Sequence, residues 1–126
     1  MGRRLKRIYD EKQVPPEPTA EQKALKRLQS LELANLRNKN LYESYYVELT
    51  DIVRRFIEDK YQLPATSQTT DEFLQGAAQN PSFEPQTKYL LTQFLEYADK
   101  VKFAQHQPSS EDVEKAYDAA KQIITA

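Results

Sequence analysis

The chain has 126 residues, with 18 lysines and arginines against 19 aspartates and glutamates for a net charge of −1, two glycines and no cysteine. Without cysteine there is no disulfide, thiolate metal site or cysteine nucleophile, and the near-neutral charge gives no global basic field for nucleic acid. A chain of this length fits one domain that buries roughly two-thirds of its unfolded surface. Scarce glycine among abundant Ala, Leu, Gln, Glu and Lys predicts an all-α fold, a compact bundle of about five helices. We divide it into a basic, proline-containing linker over residues 1–18 and a single helical domain over 19–126.

Arg3, Arg4, Lys6 and Arg7 set four cations ahead of the first acid, Asp10. Such a cluster reads as a polybasic arm for nucleic acid, a surface for anionic lipid, or the cytoplasmic flank of a transmembrane helix lying upstream; the third is preferred. No apolar stretch in the chain approaches the ~20 residues that span a bilayer, so the chain as given reads as a soluble fragment. Myristoylation of Gly2 is disfavoured, because Lys6 stands where a Ser or Thr is expected.

Val14-Pro15-Pro16-Glu17-Pro18 predicts an extended spacer, since each proline lacks an amide donor and restricts its predecessor. Thr19 and Gln22 form a capping box for a first helix running to about Asn38. Its apolar set is Ala24, Leu25, Leu28, Leu31 and Leu36, with Leu33 on another side. Lys23, Lys26, Arg27 and Lys39 form the solvated face. After the polar break at Asn38-Lys39-Asn40, the residues Tyr42, Tyr45, Tyr46, Leu49, Ile52, Val53, Phe56 and Ile57 recur at spacings of three and four. This predicts a second helix from about Leu41 to Tyr61, ended by Leu63-Pro64.

A second capping box, Thr69 with Glu72, opens one short helix over about 69–78, which Asn80-Pro81 closes. Pro85 suits the first turn of a fourth helix. Its buried face is Leu90, Leu91, Phe94, Leu95, Ala98 and Val101, and it reaches about Ala104. Ser109 is a good N-cap for a fifth, burying Val113, Ala116, Tyr117, Ala120 and Ile124.

Four charged residues, Arg54, Glu72, Asp99 and Lys102, lie beside apolar stripes. They predict a partly buried charge network joining helices two, three and four, with Asp99 accepting from Arg54 or Lys102, against the simpler reading of packed stems with solvated heads. A structural role is preferred to a catalytic one. On that basis both Asp99→Asn and Lys102→Met are expected to lower thermal stability. His106 is the only histidine and has no ligand-spaced partner, so neither a metal nor a cofactor is assigned. No nucleophile triad or phosphate loop is present, and the chain is read as not an enzyme. Among the aromatic residues, Tyr45 is assigned to the core, and Tyr42 and Tyr46 to a partner-binding surface. Lys23, Lys26, Arg27 and Arg37 give the first helix some basic character, but no helix-turn-helix corner follows, which argues against nucleic acid.

Three segments also carry a resemblance: Val53-Arg54-Arg55-Phe56-Ile57, Thr69-Thr70-Asp71-Glu72-Phe73-Leu74 and Asp99-Lys100-Val101-Lys102-Phe103-Ala104. From Ala24 to its end the chain resembles the cytoplasmic C-terminal domain of BatD-type and related bacterial single-span membrane proteins. That family pattern has an arginine on the second helix, here Arg54. It has a Thr-Thr-x-Glu helix start, here Thr69, Thr70 and Glu72, and an Asp-x-x-Lys-Phe-Ala ending, here Asp99, Lys102, Phe103 and Ala104. Tyr61-Gln62 departs from it, because glycine is expected after the aromatic, so a different turn is expected where the second helix ends. The resemblance implies an upstream membrane helix ending near Arg3 and a location at the cytoplasmic face of the bacterial inner membrane. It also implies partnership with a MoxR-type ATPase or a von Willebrand A-type protein, and it carries no catalytic residues. The resulting expectation is a protein-interaction domain; the alternative is a soluble nucleic-acid-binding or regulatory domain.

Overall fold

The computed structural model describes residues 16–104 and 106–126; Arg3, Arg4, Lys6, Arg7 and most of the proposed linker lie outside the described residues. The fold is all-α. Among the described residues five helices run α1 Ala20–Ala34, α2 Tyr42–Tyr61, α3 Thr70–Gln79, α4 Pro85–Phe103 and α5 Ser110–Thr125, with 3₁₀ turns at Arg37–Lys39 and Ala65–Ser67. The described residues contain no strand, and none of their helices is long and apolar enough to cross a membrane.

Three helices begin with reciprocal caps. Thr19, Thr69 and Ser109 each accept from the amide three residues on, while the side chains of Gln22, Glu72 and Asp112 accept from the cap amides in return. Each box satisfies two amides that a helix start otherwise leaves bare. Hydrogen bonding from Thr69 holds the exposed Glu72 carboxyl below its usual range. The Ser109 amide, and then the Tyr97 hydroxyl, do the same for Asp112.

The first helix is shorter than expected. It stops at Ala34 because Asn35 takes the left-handed conformation, φ 59°, and donates its amide to Glu32 O. A 3₁₀ turn follows, and Asn40 at φ 58° closes it. Asparagine tolerates this region better than most residues. The break lifts Arg37 off the α1 face and swings it toward α5.

Helix α2 is the central element: it packs against α1, α4, α5 and the second 3₁₀ turn, while α3 lies on α4 and α5 closes back onto α4 and α1. Being covered on several sides, α2 buries a wide arc that holds Tyr45, Tyr46, Leu49, Ile52, Val53, Phe56 and Ile57. Each such side chain contributes about 2 kcal/mol by leaving water. Leu28 and Leu31 of α1, Phe73 of α3, Leu91 and Leu95 of α4, and Ile123 and Ile124 of α5 complete one contiguous core. Leu90 and Tyr117, assigned to buried stripes in the sequence, are only half-buried, and Ile123 is a core residue that the spacing argument did not include.

Candidate functional site

Three of the four charged residues singled out in the sequence, Arg54, Asp99 and Lys102, meet at a cleft of about 410 Å³ between the end of α4 and the start of α3, which Thr69, Thr70 and Asp71 also line. Arg54 reaches it from α2 and is consumed by the main chain. One guanidinium nitrogen donates to both Ala65 O and Gln68 O at 2.8 Å, and the other to Thr70 Oγ1 at 2.9 Å. The Phe73 ring lies under it at 5.4 Å. Burial pulls the guanidinium pKa down, and Asp99 and Asp51 only partly offset this.

Lys102 is the partner that Asp99 finds, at 3.7 Å, with the lysine side chain 14 % and the aspartate 32 % exposed. That separation is an ion pair, too long for a hydrogen bond. Lys102 Nζ also donates at 3.4 Å to Thr50 Oγ1, whose own hydroxyl donates to Tyr46 O at 2.8 Å. Desolvation lowers the Lys102 pKa, with Asp99 opposing and Arg54 reinforcing the drop. Two features differ from the expected network. Arg54 turns to backbone carbonyls, because the loop between α2 and α3 buries Ala65 within its reach, and Glu72 caps α3 at its exposed edge, accepting from the Thr69 amide at 2.9 Å.

A second polar junction was not anticipated. Arg37 is bonded to Glu32 of α1 and Glu114 of α5, donates to the Tyr45 hydroxyl at 3.1 Å, and lies over the rings of Tyr45 and Tyr117. Burial weakens the charge of Arg37, but Tyr45 and the two carboxylates more than compensate and hold its pKa above the ordinary value. The only sequence signals were Asn35 and Asn40 flanking the arginine. Arg27 likewise reaches Asp51 at 3.0 Å and Glu48 at 3.4 Å.

The two tyrosines assigned to a partner surface separate. Tyr46 is fully buried: its hydroxyl donates to Asp112 O at 3.4 Å, and its ring meets those of Tyr45 and Tyr97 at 5.8 and 6.0 Å. Its place on a docking surface is therefore corrected, because the α2 arc facing α4 and α5 includes it. Tyr42 remains half-exposed. It lines a groove of about 750 Å³ at the corner where α1 gives way to α2, together with Leu36, Leu41, Val47, Glu43 and Glu48. Leu41 and Val47 are 47 % and 46 % exposed there.

His106 is exposed and meets the Tyr97 ring edge-on at 5.4 Å. Among the described residues no group of three or more His, Cys, Asp or Glu side chains is arranged to hold a metal ion. No family model, curated protein or solved structure matches the chain.

Proposed function

We propose that this chain is a non-catalytic protein-interaction domain, the cytoplasmic tail of a bacterial membrane protein, which docks a cytoplasmic or membrane-associated partner. The observation that carries the docking role is the corner groove, where Leu41 and Val47 remain about half exposed beside Leu36 and Tyr42. Apolar side chains gathered at the rim of a concavity favour association with a partner that removes them from water. The charged cleft supports a non-catalytic reading, because Arg54 spends its donors on the carbonyls of Ala65 and Gln68 and on Thr70.

The membrane half of the proposal rests on Arg3, Arg4, Lys6 and Arg7 as a cytoplasmic flank and on the BatD-type resemblance, which makes a MoxR-type ATPase or a von Willebrand A-type protein the partner to test. Nucleic acid ranks below a protein partner. Of the cations on and just after α1, Arg27 and Arg37 are neutralised by carboxylates of this domain.

An immunoblot of fractionated native cells, with carbonate-washed membranes and an antibody against α5, tests the tail reading. The expected result is a membrane-retained band much larger than a 126-residue chain, crosslinked to one of those partners. A soluble band of the size of this chain overturns it.

A further inference from the structure

The corner groove is chemically lopsided. Leu36, Leu41, Tyr42 and Val47 supply apolar walls, Glu43 and Glu48 supply carboxylates, and no lysine or arginine is among the described residues that line it. Glu43 stands in the first turn of α2 and has no ion-pair partner among the described residues. Glu48 meets Arg27 at 3.4 Å, but Arg27 has a closer partner in Asp51 at 3.0 Å.

An acidic occupant would be repelled here, and a wholly apolar one would strip water from two carboxylates of which only Glu48 has a cation, the Arg27 it shares with Asp51. Resting on the interaction reading above, we propose that the groove binds a cationic amphipathic helix of a protein partner. Apolar side chains one turn apart on that helix fill the trough between Leu41 and Val47, and flanking lysines or arginines pair with Glu43 and Glu48. Laying an apolar helical face into a groove between helices is an established recognition mode. Here the rim charges select the partner's sign.

The test uses the full chain and a fluorescein-labelled helical peptide of leucine and lysine, with a matched peptide carrying glutamate for lysine. The expected result is saturable binding of the lysine peptide alone, with amide NMR shifts confined to residues 36–48. Val47→Asp, and separately the double substitution Glu43→Lys with Glu48→Lys, should each weaken binding by about tenfold or more. Asp59→Lys, exposed at the far end of α2, should leave it unchanged. All these positions are exposed or half-exposed, and circular dichroism checks that each variant keeps its fold. No binding, shifts spread over other acidic surfaces, or equal affinity for the Glu43/Glu48 double variant overturns the proposal. Its failure is separable from that of the tail reading: a membrane-retained native band with no peptide binding removes only the occupant, and a soluble band with intact peptide binding removes only the anchor.

Discussion

Arg54 donates to the carbonyl oxygen of Ala65 across 2.8 Å, tying the middle of α2 to the loop that delivers α3. Gln68 O and Thr70 Oγ1 take its remaining bonds, so one guanidinium fork sets the path of the whole connection. Arg54→Leu keeps the apolar stem but leaves the Ala65 and Gln68 carbonyls without that partner. A loss of roughly 2–3 kcal/mol in urea denaturation is expected. Arg54→Lys should recover only a minor part, since an ammonium lacks the planar fork that reaches three acceptors at once. Full recovery by lysine would show that charge, and not geometry, holds the loop.

The Asp99 and Lys102 pair is expected to respond asymmetrically, which revises the expectation drawn from sequence that both substitutions destabilise. Lys102 is charged at a desolvated position and has only a long contact to Asp99 and another to Thr50. Asp99→Asn removes the carboxylate that offsets this, and stability should fall by about 1–2 kcal/mol. Lys102→Met removes the desolvated charge and keeps most of the packing, so its melting temperature should match or exceed that of the parent chain. Thermal melts of both variants decide this, and equal losses would restore the symmetric network.

Features set by a few consecutive residues were legible in the sequence. Thr69 with Glu72, and Thr19 with Gln22, announce helix starts through bonds that span three residues, and the α2 stripe from Tyr42 to Ile57 declares its period over about four turns. What depends on neighbours distant in sequence was not. Whether Tyr46 faces a partner or the core turns on α4 and α5 packing across α2, information that lies some fifty residues away. The Arg37 junction required Asn35 to break α1, a left-handed turn that asparagine permits without dictating. The groove was half legible: Tyr42 was singled out, but Leu41 and Val47 fall off the apolar period, and periodicity cannot distinguish an exposed leucine from a purposeful one.

Gln62 holds a backbone conformation that a glycine would adopt at less cost. It caps α2 at φ 60° and ψ 40°, the left-handed conformation in which glycine is the usual residue. The turn is therefore of the kind a glycine makes. Gln62 Nε2 donates to Asp59 O at 3.0 Å, which offsets part of the steric cost. Gln62→Gly should stabilise the domain by about 0.5–1 kcal/mol despite losing that exposed bond. A higher urea midpoint at unchanged slope is the expected result; a lower one would mean that the side-chain bond outweighs the backbone strain.

Alkaline pH should unfold the domain through its tyrosines. Burial raises the pKa of Tyr45, Tyr46 and Tyr117, and burial together with the Asp112 carboxylate pushes Tyr97 up to about 12. In the unfolded chain a tyrosine ionises at about pH 10. Between about pH 10 and the raised folded values the native state therefore holds more protons than the unfolded state, so the slope of stability against pH is negative. The stabilisation is fully present below about pH 10 and is lost as pH rises through the folded pKa values. Lys102 acts in the opposite sense: its folded pKa lies below the ordinary 10.5, so between that lowered value and 10.5 the unfolded state binds the extra proton and stability rises with pH. Four tyrosines against one lysine give a net fall, measured as a declining urea midpoint from about pH 9.5 upward. Tyr46→Phe should flatten the decline and Lys102→Met should steepen it, with tyrosinate absorbance rising together with unfolding. A midpoint independent of pH across this range would mean that the buried hydroxyls ionise in place.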